Sequence, residues 1–257
     1  MLSHEQVMDF ISDGFVKVEG AFPRELADEC RAILWKDTGC DPGDPATWTR
    51  PVIRIGGHGE EPFTRAAGTR PLHEAFDQIV GEGRWVPREG LGGFPIRFPV
   101  PEPPGDDGWH IDASIPDDDP ADFDTYRANL WSDGRALLML FLFSDVGEDD
   151  APTRIRVGSH LRVPKILKPF GRAGANWRDY PQLPDLTADL PEALATGRAG
   201  DVYLCHPFLV HAAQAHRGRT PKFMAQPPLH QRVPFDLERP DHDYSPVERA
   251  ILHGLRR

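Results

Sequence analysis

The sequence has few cysteines, and those it has do not pair. Cys30, Cys40 and Cys205 are an odd count with no C-x-x-C spacing, which excludes a disulfide scaffold and predicts reduced thiols. Long hydrophobic runs are missing as well. The longest, residues 136–143, falls far short of the roughly 20 residues a membrane helix needs, and it fits a buried strand. No basic-then-apolar leader opens the chain, so the expectation is a cytoplasmic protein with no membrane partner. Positive charge is in the minority: 29 Lys and Arg stand against 40 Asp and Glu, a formal net charge of −11. That balance argues against a protein built to grip a nucleic-acid backbone. There is no G-x-S-x-G nucleophile elbow, no internal repeat and no low-complexity tract. What is present is a 257-residue chain of ordinary apolar content. It is enough for a substantial core, and is expected to fold as a single domain over residues 1–257, working on a small molecule as a monomer or homodimer.

Local signals divide the chain. Ser3 followed by Gln6, with Val7, Met8, Phe10 and Ile11 behind them, is a capping-box helix start. Gly14 ends that helix, and residues 15–18 read as a strand. Pro23 opens a second helix whose apolar stripe (Leu26, Ala27, Cys30, Ile33, Leu34) runs to Gly39. Residues 41–51 read as a loop and residues 71–80 as a third helix. These N-terminal helices occupy about residues 1–85. From residue 90 to about 230, short apolar runs alternate with Pro, Gly and Asp, the pattern of an all-β sandwich or barrel. The candidate strands are residues 94–98, 108–112, 135–143, 154–157, 201–205, 208–212 and 222–226. The fold class is therefore mainly β with flanking α-helices laid on an antiparallel sheet system.

The chemistry sits in Gly108-Trp109-His110-Ile111-Asp112. On an extended chain His110 and Asp112 project from one face. An imidazole beside a carboxylate is two-thirds of a 2-His-1-carboxylate facial triad, which leaves three positions open on iron(II). About a hundred residues later, a Gly200-Asp201 turn leads into an apolar stretch holding His206 and His211. Either is a core histidine or the missing third ligand.

Both segments, in wording and spacing, resemble the phytanoyl-CoA dioxygenase family. So do the stretch Leu137 to Val146, the Ala151-Pro152-Thr153-Arg154 to Gly158-Ser159-His160 segment and the helix-then-strand opening. The resemblance runs from about residue 3 to about residue 230. It implies a double-stranded β-helix, a jelly-roll, cupin-like barrel with the metal inside. It also implies Fe(II), 2-oxoglutarate and O2 as cofactor and cosubstrates for oxidation of a small organic substrate, with hydroxylation as the default. Carried over residue by residue, the ligands and catalytic centre are His110, Asp112 and His211, with His206 a neighbour. Where the family has an arginine to pair with the remote carboxylate of 2-oxoglutarate, this chain has Lys222, a point charge in place of a planar fork. Ala213 stands where relatives carry a hydroxyl. With Asp112 a carboxylate, no coordination position is left for chloride, which disfavours halogenation.

Around this centre several residues have two readings. Arg97 either points into the barrel towards the cosubstrate or is salt-bridged. Arg154 and Arg156, sharing a strand face, either contact substrate or neutralise the acidic residues 148–150. Trp109 either shapes the pocket or belongs to the core. Residues 41–68, 99–107, 116–124 and 168–191 are expected to be the loops in which substrate identity is written, with residues 171–179 as a lid. The rival functions are a non-catalytic binding or regulatory barrel, kept open by Lys222 and Ala213, and a cupin-like metalloenzyme that uses no 2-oxoglutarate.

Overall fold

The computed structural model describes residues 1–116, 119 and 121–256. Helix α1 (His4–Asp13) begins with the reciprocal cap its sequence predicts: the Ser3 hydroxyl accepts from the Gln6 N–H at 3.1 Å, and the Gln6 side chain accepts from the Ser3 N–H at 2.9 Å. Such a cap is worth about 1 kcal/mol. Gly14 ends the helix at φ 90°, where a Cβ would lie 2.4 Å from the His160 ring, so the turn into strand β1 (Phe15–Val18) requires glycine for both conformation and space. Helix α2 (Arg24–Thr38) lies between Pro23 and a left-handed Gly39. The sequence reading misses strand β2 (Val52–Ile55) and helix α3 (Glu61–Ala67), which lie within residues expected to be loop; α4 (Arg70–Val80) then follows as expected.

The remaining elements are β3 (Phe94–Arg97), β4 (Arg127–Ala128), β5 (Leu137–Leu142), β6 (Arg154–Arg156), α5 (Val163–Leu167), β7 (Ala175–Asn176), α6 (Leu183–Leu186), β8 (Glu192–Leu194), β9 (Val202–Cys205), β10 (His211–Ala212), β11 (Met224–Ala225), β12 (Pro228–Leu229) and α7 (Pro246–Arg256). All pairing is antiparallel. One sheet runs β1-β9-β5-β11, with β12 also on β5; a second runs β10-β6-β8; β2 pairs with β3 and β4 with β7. Among the described residues these ladders do not close into one barrel. The acidic segment 116–124 lies partly outside the described residues. Residues 171–179, expected as a lid, contribute β7, which is paired to β4.

Strand β5 explains the longest apolar run. Leu137, Met139 and Phe141 join the large core formed with α2 and α4. Leu138, Leu140 and Leu142 face the other way, into a second cluster with Ile155, Tyr203, Leu209 and Met224. A strand covered on both faces needs an unbroken run, not alternation, and each large aliphatic side chain buried there contributes roughly 1.5–3 kcal/mol. The C-terminal helix α7 locks the far end. Glu248 is fully buried, ion-paired with Arg84 through both oxygens at 2.9 and 2.5 Å, and accepts the N–H groups of Asp236 and Ser245 at 2.9 Å.

Candidate metal centre

Two backbone segments clasp each other to make the site. His110 and His211 form an antiparallel bridge in which each N–H donates to the other's carbonyl at 3.0 Å. Among the described residues this bridge is the only pairing at residues 108–112, which are not the full strand expected, because loops flank them on both sides. Residues 208–212 likewise reduce to β10, anchored by the pairing of His211 with Ile155 on β6. The bridge sets the two imidazoles 4.5 Å apart. Asp112, two residues on, completes the group: its Oδ1 lies 3.7 Å from His110 Nε2 and 3.8 Å from His211 Nε2. Among the described residues these three form the one cluster of His, Cys, Asp or Glu tight enough to hold a metal ion, with ligand atoms within 4.8 Å of one another.

Each histidine also spends its other nitrogen. His110 Nδ1 lies 2.8 Å from the Gly108 carbonyl and His211 Nδ1 3.0 Å from the Leu209 carbonyl. A carbonyl only accepts, so Nδ1 carries a proton in each ring and Nε2 is the nitrogen left on the Asp112 side to serve as a ligand. Burial, with repulsion from His110, pushes His211 down to about 4, so its ring is neutral at physiological pH. Burial raises the carboxyl of Asp112, but Arg135, then His211 and His110, outweigh it and hold it at about 2. Arg135 acts at contact distance, its Nη1 donating to Asp112 Oδ2 at 3.0 Å. A neutral His211 imidazole and an ionised Asp112 are protonation states that suit a divalent metal. The His211 side chain is 4% exposed and that of His110 45%, so the centre opens to solvent on the His110 side. His206 is elsewhere: fully buried, it accepts the Phe208 N–H at 3.1 Å and lies 3.3 Å from the Val247 carbonyl, which makes it a core contact between the β9 end and α7.

A cavity of about 480 Å³ reaches the cluster, with Arg54, Arg97, Asp106, Thr153 and Ala213 in its wall. Arg97 is salt-bridged, as one of its two readings has it, and it lies in the cavity wall. It is 4% exposed, and its two terminal nitrogens donate to Asp106 at 3.0 and 2.8 Å; Arg54 binds the same carboxylate. Lys222 pairs with Arg97 through the backbone in both directions, at 3.0 and 2.9 Å. Its buried Nζ donates to the Ala151 carbonyl at 2.5 Å, and Lys222 is not among the residues of the cavity wall. Burial and the charge of Arg97 push it well below the ordinary lysine range. The other three candidates form one stack, with the guanidinium carbons of Arg154 and Arg156 4.6 and 4.1 Å from the ring centre of Trp109. Arg154 donates to the carbonyls of Ala213 and Asp107 at 3.2 and 2.9 Å, and Arg156 to the Thr187 hydroxyl at 2.7 Å and to the Pro184 carbonyl. Among the described residues neither forms an ion pair with the acidic residues 148–150.

Sequence reasoning misses Arg135 and Asp106. Arg135 is visible only as a charged residue at the head of an apolar strand, a position that demands an acidic partner once buried.

The profile of the phytanoyl-CoA dioxygenase (PhyH) family matches residues 10–224. No curated protein matches the chain in sequence. Among solved structures it is similar to HygX from Streptomyces hygroscopicus, determined with nickel, 2-oxoglutarate and hygromycin B (TM-score 0.54, 18% identity, 88% of this chain and 86% of that one). It is also similar to the non-heme alpha-ketoglutarate-dependent epimerase SnoN of nogalamycin biosynthesis (TM-score 0.53, 16% identity, 86% and 79%). The carbocyclase SnoK of the same biosynthesis is a third such structure (TM-score 0.51, 17% identity, 90% and 84%). With a profile match spanning most of its length, this chain belongs to the phytanoyl-CoA dioxygenase family.

Proposed function

We propose that this protein is an Fe(II)- and 2-oxoglutarate-dependent oxygenase that oxidises a small organic molecule at a C–H bond, with hydroxylation as the outcome. The observation that carries this reading is the convergence of His110, Asp112 and His211, both Nε2 atoms on the side of the carboxylate, beside a cavity walled by a buried arginine. Family membership and the nickel–2-oxoglutarate complex of HygX support it. The two antiparallel sheets are read as the faces of a double-stranded β-helix in one domain, and the net charge of −11 fits a small-molecule partner.

The donor set suits iron(II), because two imidazoles and one carboxylate leave three positions for cosubstrate and oxygen. Bound there, iron with 2-oxoglutarate and O2 supplies the oxidising power for C–H cleavage, with succinate and CO2 as coproducts. The chain's own residues do the rest. Arg135 keeps Asp112 ionised, and the Gly108 and Leu209 carbonyls fix the tautomers. Arg97 offers the guanidinium fork for the remote carboxylate of 2-oxoglutarate. Lys222, paired with Arg97 through the backbone, stands behind it with its Nζ on the Ala151 carbonyl.

Succinate release that requires both iron and 2-oxoglutarate, and ignores chloride, is the expected result. It separates this reading from a non-catalytic barrel and from a metalloenzyme that does not use 2-oxoglutarate. His110→Ala, Asp112→Ala and His211→Ala each abolish it. Loss of metal in His206→Ala with retention in His211→Ala overturns the distal assignment.

A further inference from the structure

A second cleft, of about 530 Å³, shares His110 and Asp106 with the arginine-walled cavity, but the rest of its wall is different. Trp109, Trp177, Tyr180, Leu183, Pro181 and Pro184 line it. From this cleft we infer the substrate class: a flat, largely uncharged ring molecule carrying an oxygen acceptor, which stacks on the Trp177 indole and takes a hydrogen bond from the Tyr180 hydroxyl. The inference rests on reading His110, Asp112 and His211 as the metal centre, since His110 is what brings this cleft to the reacting atoms.

Three observations support it. First, three of the side chains in the wall are aromatic, Trp109, Trp177 and Tyr180, and aromatic rings favour offset stacking with another aromatic ring. Trp177 is 52% exposed, unusual for so large an apolar side chain. Arg178 covers one face of its ring at 4.5 Å, which leaves the other face for a ligand. Second, Tyr180 is 3% exposed, yet its hydroxyl has no hydrogen-bond partner. A buried hydroxyl left unpaired is costly, and a ligand oxygen removes that cost. Burial, with the charges of Asp179 and Asp112, pushes this phenol up to about 12, so it stays protonated and donates; the matching ligand atom is an acceptor. Third, among the described residues the cleft has no lysine or arginine in its wall. The nearby guanidinium groups of Arg154 and Arg156 are committed to main-chain carbonyls, the Thr187 hydroxyl and the Trp109 ring. Among the described residues Asp106 is the one carboxylate there, and Arg97 and Arg54 neutralise it, so the wall offers no free charge to an ionic ligand. The volume suits a small ligand.

The test uses the full chain and three probes: 1-tetralone, tetralin (the same shape without the carbonyl) and 2-decanone, titrated by ligand-observed NMR. Tetralone is expected to bind about three- to tenfold tighter than tetralin, the range of one neutral hydrogen bond, and tighter than decanone. Tyr180→Phe should erase the tetralone–tetralin difference and leave tetralin affinity unchanged. Trp177→Ala, at an exposed position that does not threaten folding, should weaken both ring ligands. A Tyr180→Phe variant that keeps the preference, or decanone binding as well as tetralone, overturns the inference. 2-Oxoglutarate binding to the iron-loaded protein is measured separately. Its absence with tetralone still bound refutes the oxygenase reading and leaves the cleft standing. Its presence with both ring probes ignored refutes the cleft alone.

Discussion

Asp106→Asn is the most informative single change at the cosubstrate cavity. In this structure Asp106 already occupies the fork of Arg97, with bonds of 3.0 and 2.8 Å to its two terminal nitrogens, and Arg54 holds the same carboxylate. That bidentate pairing is the geometry a remote 2-oxoglutarate carboxylate would use, so protein and cosubstrate compete for one guanidinium. Partial burial raises the carboxyl of Asp106, but Arg97 and Arg54 outweigh it and leave the group below its ordinary value, hence ionised at neutral pH. Asparagine keeps the shape and one acceptor but removes the charge. Hydrogen bonds to charged groups are worth about 1.5–3 kcal/mol and neutral ones about 0.5–1.5. The substitution therefore weakens the internal competitor by about 1 kcal/mol, and 2-oxoglutarate should bind about fivefold tighter. Calorimetric titration of 2-oxoglutarate into metal-loaded protein, with oxygen excluded, reads this directly. Binding weakened fivefold or more would refute the competition and show that Asp106 orients Arg97 for the cosubstrate.

Other consequences follow from the same contacts. Arg97→Met should raise the dissociation constant for 2-oxoglutarate roughly ten- to hundredfold, the worth of a charge-assisted bond, and Lys222→Met by less; the reverse order in the same titration moves the anchor to Lys222. Arg135→Gln should weaken iron binding by about 10- to 100-fold, the usual cost of losing a group that supports a ligand. Because the carboxyl of Asp112 is held at about 2, its ionised form contributes stability above the unfolded value and loses it as pH falls towards 2. The variant should lose metal at a higher pH than wild type, and superimposable metal–pH curves would contradict this. Glu248→Gln breaks the buried pair with Arg84 and should cost about 3–5 kcal/mol, seen as a lower urea midpoint with succinate release unchanged under native conditions.

Legibility in the sequence depended on the range of the interaction. Helices α1 and α2 could be read to within a residue or two because their stops are local: Ser3 with Gln6, Pro23, and the left-handed Gly14 and Gly39. Strand β5 was legible because cover on both faces leaves an unbroken apolar run. Strand β2 and helix α3 were hidden because Gly56, Gly57, Gly59 and Pro62 punctuate them as they would a loop, and β2 is defined by its pairing to β3, which no local window contains. The H-x-D segment was found by spacing, although it is not the strand that spacing suggested. One bridge to His211 supplies the alignment that a ladder was expected to provide. What stayed invisible were the long-range partners. Arg135 reaches Asp112 from another segment, Asp106 reaches Arg97 across a loop, and Tyr180 enters its cleft from residues 168–191, a stretch expected to carry substrate identity but in which no single residue stands out.

These hidden partners solve one problem, that of holding a metal site ready before a metal arrives. A partly buried carboxylate such as Asp112 is costly unless something compensates its charge. Arg135 does so on Oδ2 and leaves Oδ1 facing the histidines. The imidazoles are fixed by carbonyls two residues before each of them, so their orientation comes from the same clasped backbone that sets their separation. Arg97 is likewise neutralised in advance by Asp106. Each charged group that the reaction requires therefore has an internal partner, and each partner leaves a face or an exchangeable bond for the incoming group. At Asp112 preorganisation of this kind lowers the reorganisation cost of metal binding, whereas at Arg97 the internal partner must give way to the cosubstrate. It follows that removing a partner should be felt first in metal or cosubstrate affinity and only second in fold stability, the opposite of what removing Glu248 should do.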